Sequence, residues 1–328
     1  MGQLNESPHS RFNLIEQIGT IIDIEKRQIT NQELLALCAL SGIESFSTDP
    51  HLCHEIAETA LNHLVRTKYG KMLLDSVDPV ASCSDILRPL QRRLPTQTWR
   101  SSTQIIYQQF STPAPIAFLA AYLLNLSNDD IVLEPSCGTG SLAVWAQAAG
   151  AVVATNEIDA RRRSLSELLG FAPTGHEAEF IDDLLLESIV PNVILANPPF
   201  SSSGGRVERN QKKFGFRHVE SALRRLAEGG RFAVIIGDSG SPRTPAGRLF
   251  WQSLSKNIHL SAAIKLPGSE YYCNGTTVGV TLILGYKLGN EDDNESVSVE
   301  NSLIFTVSSV EDAFEKALAA GLRSRLSS

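Results

Sequence analysis

No apolar run in this chain is long enough to cross a bilayer, and the opening MGQLNESPHS has no apolar leader core. A membrane span or an export signal is therefore not expected, and a cytoplasmic setting is. Cysteine is sparse and scattered, at 38, 53, 83, 137 and 273, with no CxxC pair. That argues against a disulfide framework or a zinc ribbon and suits a reducing compartment. His51, Cys53, His54 and His63 cluster in sequence. They lack the four well-spaced ligands of a structural zinc site, so they read as helix residues that pack or face solvent, and no metal is expected. Internal repeats and low-complexity tracts are also missing.

What is present is the composition of a globular protein: 328 residues, 42% hydrophobic and 20% charged, enough for one large domain or two ordinary ones. The net charge of −7 hides an asymmetry. Between Ser201 and Lys265 there are twelve Lys/Arg against four Asp/Glu. A basic segment in an otherwise acidic chain is a candidate anion-binding face, or else an unevenly charged solvated surface.

Two textures divide the chain. Residues 1–103 read as a helical domain. Leu14, Ile15, Ile18, Ile21 and Ile22 recur at helical spacing, as do Ile56, Ala57, Ala60, Leu61 and Leu64, and prolines at 50, 79, 89 and 95 are expected to break the region into short helices. Residues 104–328 alternate strands with helices. The expected strands are 131–133, 152–155, a weak one near Thr174, 193–196, 232–236, 262–264, 277–284 and 302–307. This alternation predicts an α/β fold with a doubly wound, mostly parallel sheet. Ala263 and Thr277 are too close to hold a helix between them, so the strand from 277 is expected to return antiparallel as a hairpin edge.

The most specific stretch is Asn197-Pro198-Pro199-Phe200, directly after the apolar run Val193–Ala196. Two prolines stop a buried strand abruptly and leave a stiff loop at its C-terminal end, where open α/β sheets bind ligands. The Asn197 side-chain oxygen and the Pro198 carbonyl can accept both hydrogens of one planar amine, and Phe200 can stack on the ring that bears it. Taken in isolation, the tetrapeptide could also be an ordinary strand-ending turn.

Upstream, Glu134-Pro135-Ser136-Cys137-Gly138-Thr139-Gly140 follows the first strand. Glycines there admit close approach of a ligand to the backbone. Gly138–Ala143 also fits G-x-G-x-x-A with Glu157 as ribose ligand, so an NAD dehydrogenase competes. Against it, Glu134 would repel a diphosphate but suits the cationic amino-acid end of S-adenosylmethionine, with Ser136, Gly138 and Gly140 forming the loop around it. Glu157, ending the second strand, can accept both ribose hydroxyls. A third acid should take the adenine amine; Glu177 is preferred and Asp182 stays open. Phe110-Ser111-Thr112-Pro113 precedes a proline-started helix, either as a carboxylate clamp or as a plain N-cap. After Phe200, Arg206, Arg209, Lys212, Lys213 and Arg217 in a glycine-containing loop fit a phosphate-binding flap for DNA. Arg161-Arg162-Arg163 reads as a solvated helix face.

Together these residues resemble the N-6 adenine DNA methyltransferases, in the gamma order of motifs. Phe110–Pro113 stands for the family's tenth motif, Glu134–Gly140 for the first, Glu157 for the second, Glu177 or Asp182 for the third and Asn197–Phe200 for the fourth, with Gly275-Thr276-Thr277-Val278 also similar. The likeness covers roughly 105–287, and is nearest to methylase regions found with strawberry-notch-type helicases. It implies a seven-stranded Rossmann-like sheet, S-adenosylmethionine as cofactor, DNA as substrate, and Asn197, Pro198, Pro199 and Phe200 as the catalytic loop. Such enzymes usually carry a recognition domain after the sheet, whereas about forty residues follow Leu284 here. A separate specificity or helicase chain is therefore an expected partner, in restriction, phage defence or mobile-element maintenance. An RNA guanine N-2 methyltransferase and a non-catalytic subunit holding S-adenosylmethionine or DNA remain alternatives. A protein-glutamine methyltransferase fits less well, because the loop ends in Phe and its surroundings are basic.

Overall fold

The computed structural model describes residues 8–43, 50–97, 110–199, 214–289 and 302–326. Phe200, Arg206, Arg209, Lys212 and Lys213 lie outside them.

Three helices open the chain: α1 (Pro8–Asp23), α2 (Asn31–Leu40) and α3 (Pro50–Leu64). Their apolar stripes meet in one core of Leu14, Ile15, Ile18, Ile22, Leu34, Ile56, Ala60 and Leu61. Past α3 the chain stays helical through a π-turn at Val65–Tyr69 into α4 (Gly70–Leu74). Gly70 is required here. A Cβ on it would stand 2.5 Å from the Ala148 Cβ and 2.7 Å from the Val65 carbonyl oxygen, so any side chain would push two helices apart.

The next segment corrects an expectation. Pro79 starts α5 (Pro79–Ser82), but Pro89 does not end a helix. The chain runs on through a π-turn at Cys83–Leu87 into α6 (Arg88–Arg93). A proline clashes with the carbonyl four residues back in an α-helix. A wider π-turn immediately before Pro89 moves that carbonyl out of line.

The sheet has seven strands: β1 (Ile131–Glu134), β2 (Val152–Thr155), β3 (Val193–Ala196), β4 (Arg231–Gly237), β5 (Ile258–Leu266), β6 (Val280–Lys287) and β7 (Leu303–Thr306). Their order is β2-β1-β3-β4-β6-β5-β7. All pairings are parallel except those of β6 with β4 and β5. The α/β, mostly parallel class is as expected, with two adjustments. The strand foreseen near Thr174 is a single bridge between Asn156 and Thr174, and β7 completes the seven. The antiparallel strand is not an edge: β6 inserts between β4 and β5, leaving β7 outermost.

Helices cover both faces. On one lie α7 (Ala114–Leu123), α8 (Ala143–Ala148) and α13 (Val310–Ala319), in a core that also takes Val65, Leu73 and Leu87 from the N-terminal helices. Being sandwiched between the sheet and other helices explains why α7 is apolar all round. Its Phe118 packs on Trp145 at 5.0 Å and on Phe314 at 5.1 Å. On the other face, α11 (Phe214–Arg225) and α12 (Pro245–Leu254) set Val219, Ala222, Leu223 and Trp251 against β3, β4 and β5. Between β2 and β3 run α9 (Ala160–Leu168) and the short α10 (Ile181–Leu184).

Candidate active site

From β1 the chain goes outward to β2 on one side, while β3 pairs with β1 on the other, Leu133 opposite Ile194. The gap at the C-terminal ends of β1 and β3 is the switch point of the sheet, where loops diverge and leave a crevice. Glu134 closes β1 and Asn197 follows β3, so both stand at this crevice. A cavity opens there, lined by the Phe110–Thr112 stretch, Glu134, the Ser136–Thr139 loop, Ser141, Glu157, Arg162, Asn197, Pro198 and Pro199. Eight expected site residues thus come together with both prolines: Phe110, Ser111, Thr112, Glu134, Ser136, Gly138, Glu157 and Asn197.

Asn197 is held in one orientation. Its Nδ2 donates to the Phe110 carbonyl at 3.1 Å and to the Thr112 hydroxyl at 2.9 Å, while its Oδ1 has no hydrogen-bond partner among the described residues. Turning the amide over would set Oδ1 against the Phe110 carbonyl, two acceptors facing each other. The acceptor therefore stays pointed away from the Phe110–Thr112 wall. Thr112 does not cap α7, whose N-cap is Pro113 with no side-chain hydrogen bond. The hydroxyl of Tyr271, a buried residue of the 3-10 segment after β5, stands beside both Asn197 and Thr112.

The two acids differ in their bonding. Glu157 accepts the Gly138 N–H at 2.7 Å and the Asp159 N–H at 2.8 Å. Gly138 adopts φ +56, a left-handed conformation that suits glycine, and this turns its N–H toward that carboxylate. Glu134 accepts the Ala143 N–H through one oxygen, and its Oε2 has no hydrogen-bond partner among the described residues. Burial raises both carboxyls above their ordinary range, Glu134 strongly. Arg162 opposes the rise at Glu157, and more weakly at Glu134.

This chemistry fits a cationic ligand and not a diphosphate. An unpaired buried carboxylate oxygen calls for a cationic donor, and the glycine-loop N–H that a phosphate would need is already taken by Glu157. The dehydrogenase reading fails on those two contacts.

The third acid is not in the cavity. Glu177 is exposed, and Asp182 accepts from the Ser221 hydroxyl at 2.6 Å and from Arg224 at 3.1 Å, which fixes it to α11. Neither lines the crevice. Gly140, at φ +88, shapes the loop from behind, against Leu169 and Phe171. Arg217 belongs to α11 rather than to a loop, and pairs with Glu179 at 3.2 Å.

The solvated-face reading of Arg161–Arg163 is corrected for Arg162, which is 7% exposed and lines the cavity. The sequence held a signal for this. Arg162, Leu165, Ser166 and Leu169 fall at helical spacing, and all four are buried. His51, Cys53 and His54 are buried on α3. His51 bonds Gln97 and stands 3.3 Å from Glu55.

Known proteins resemble this chain over the region that builds the sheet. Residues 117–246 match the model of the methyltransferase small domain. Over that stretch the chain is similar to methyltransferase domains, for which S-adenosylmethionine is the expected cofactor. A curated relative, the type II restriction enzyme and methyltransferase RM.BcgI of Heyndrickxia coagulans, is 25% identical over 218 residues, 58% of this chain and 33% of its own length. The chain thus spans about a third of the length of that relative. These two matches support the resemblance to the N-6 adenine methyltransferases. Among solved structures, a chain assigned as a class I S-adenosylmethionine-dependent methyltransferase from Listeria monocytogenes superposes with a TM-score of 0.54 at 17% identity, covering 97% of this chain and 98% of that one. A chain of a type I restriction-modification system gives a TM-score of 0.50 at 13% identity, covering 88% and 60%. At such identities the likeness is one of fold: a class I methyltransferase sheet with N-terminal helices. No helix among the described residues is long and apolar enough to cross a membrane.

Proposed function

We propose that this chain moves the methyl group of S-adenosylmethionine to the exocyclic 6-amino group of adenine in DNA. The observation that carries the reading is the orientation of Asn197: its amide nitrogen donates inward to Phe110 and Thr112, and its buried oxygen has no hydrogen-bond partner among the described residues, at the wall of the crevice that Glu134 and Glu157 share. Residues 104–328 serve as the catalytic unit and 1–103 as a helical unit packed on it.

Adenine's amine is a poor nucleophile because its lone pair is delocalised into the ring. Asn197 Oδ1 and the Pro198 carbonyl accept its two hydrogens and draw the nitrogen toward tetrahedral geometry, which frees the lone pair. Pro198 and Pro199 stiffen that corner, and Phe200 stacks on the extruded base. Glu134 holds the cofactor's ammonium and Glu157 its ribose. When bound, the cofactor supplies an electrophilic methyl carbon on a sulfonium. Catalysis is then positioning and electrostatics, with no protein nucleophile. Arg206, Arg209, Lys212 and Lys213, beside Phe200 in sequence, contact phosphate without reading bases. RM.BcgI is named as both restriction enzyme and methyltransferase, which favours a restriction-modification setting with target recognition supplied by another segment or chain.

The test is transfer of labelled methyl from S-adenosylmethionine to duplex DNA and to RNA, followed by base-resolved sequencing. N-6-methyladenine in DNA is expected. Label on RNA guanine alone, or none with S-adenosylmethionine bound, refutes the adenine reading.

A further inference from the structure

Within the cavity one basic side chain faces two acids: Arg162 against Glu134 and Glu157. Arg162 complements the carboxylate of the cofactor's amino-acid end, as Glu134 complements its ammonium. We propose that Arg162, with the Ser111 hydroxyl, is the receptor for the methionine carboxylate, and that Glu55 on α3 is the positioning residue that aims it. The proposal rests on S-adenosylmethionine as the ligand and deepens that assignment.

Arg162 Nη2 donates to Ser111 Oγ at 2.9 Å, bringing a guanidinium and a hydroxyl side by side on the cavity wall. Its Nε lies 3.3 Å from Glu55 Oε1, a charge contact without a hydrogen bond. A planar guanidinium held by Ser111 and faced by Glu55 along one edge presents its other edge, the geometry that binds a carboxylate by two parallel hydrogen bonds. Glu55 is built to hold that plane. It is 1% exposed, its Oε1 accepts from Arg161 Nη2 at 3.2 Å, its Oε2 lies 2.8 Å from Arg161 Nε as a charge contact, and His51 Nε2 stands 3.3 Å from Oε1. One carboxylate from the N-terminal helices thus locks two adjacent arginines of α9. Nearby, Asn62 of α3 donates to the Thr139 carbonyl at 3.1 Å and to Ser141 at 3.3 Å, so α3 also props the glycine loop. The N-terminal helices therefore shape the cofactor site from behind.

The experiment is calorimetric titration of the full chain with S-adenosylmethionine, its decarboxylated analogue and 5′-methylthioadenosine. A charge-assisted carboxylate contact predicts that the native chain prefers S-adenosylmethionine over the decarboxylated analogue by about 30-fold. In Arg162→Met that preference collapses to about threefold or less, while methylthioadenosine, which lacks the whole amino-acid end, binds within about threefold of native. Glu55→Gln leaves the charge but loosens its aim, and the preference falls to about tenfold. Should Arg162→Met fail to fold, Arg162→Lys serves, since a single ammonium cannot span Ser111 and Glu55 together, and it too must lower the preference several-fold. Equal affinity of the native chain for the two sulfonium ligands overturns the proposal, whatever the variants do. So does a variant that loses all three ligands in equal proportion, which marks a structural role. A native chain that binds none of the three overturns the cofactor assignment itself and this proposal with it.

Discussion

Replacing Asn197 separates an oriented acceptor from a merely present one. Asn197→Ala removes Oδ1 and also strands the Phe110 carbonyl and the Thr112 hydroxyl, which lose donors at 3.1 and 2.9 Å. By analogy with the loss of one preorganised group in a water-poor site, the transfer step should slow by about 100-fold to 1000-fold. The stranded carbonyl adds about 1–3 kcal/mol of lost stability. Asn197→Asp is the sharper probe, because it keeps an acceptor oxygen and loses both donors. Its carboxylate can accept from Thr112 but meets the Phe110 carbonyl as one acceptor against another, so it must rotate, and about 100-fold is again lost. Thr112→Val keeps the shape and removes one of the two anchors, worth about 1 kcal/mol, so the rate falls by about fivefold. The assay is single-turnover transfer of labelled methyl to DNA at saturating cofactor, with calorimetric cofactor affinity as control. Affinity should stay within about threefold for both Asn197 variants, since the proposed cofactor contacts lie on Glu134, Glu157 and Arg162. An Asn197→Asp protein that keeps more than about a third of the native rate would show that the inward bonds do not matter, and the reasoning from orientation would fall.

Three further outcomes follow from the same contacts. Glu134 is buried with Oε2 unpartnered, and burial holds its folded carboxyl above the ordinary value of 4.5. The folded chain thus binds that proton more tightly than the unfolded chain, and stability is fullest below 4.5 and declines as pH rises from there toward the folded value. Glu134→Gln should flatten that decline in denaturant titrations across pH and stabilise the free chain at neutral pH by about 1–2 kcal/mol, while weakening cofactor binding by about tenfold. A variant less stable than native at neutral pH would contradict this. Arg88 forks onto Glu270 at 2.8 and 2.9 Å and onto Glu311, joining α6 to the 268–274 segment and α13. Arg88→Met strands two largely buried carboxylates and should cost about 3 kcal/mol in chemical denaturation; a loss below about 1 kcal/mol would show that the cluster is solvated. Charge reversal at Lys212 and Lys213 should weaken DNA binding and make the slope of log affinity against log salt shallower by about two, with an unchanged slope clearing the pair of phosphate contact.

How far the sequence reveals this molecule depends on whether a signal is local. The ends of β1 and β3 are legible because a short buried strand, a turn and the residue after it are consecutive. Glu134 and Asn197 could thus be placed at strand ends without knowing what packs on them. The position of β6 is not local. A short connection fixes β5 and β6 as antiparallel neighbours but not which lies outside. The cue available was composition, since Val280–Gly285 is buried along its whole length, as in an interior strand. Asp182 shows the converse. Its spacing suits an adenine ligand, yet Ser221 and Arg224, about forty residues away, claim its oxygens.

Arg162 joins both lessons. Its charge suggests solvent, whereas its helical phase with Leu165 and Leu169 puts it inside, and phase prevails because Glu55, 107 residues earlier, supplies the counter-charge that makes burial tolerable. A charged residue on a buried helical stripe requires a partner from another element, and the element that supplies it is thereby tied to the site. For this chain that element is α3. The N-terminal helices are tied by this contact to the proposed cofactor cavity, and a change in how they pack should be read in cofactor affinity before it is read in the chemistry of Asn197.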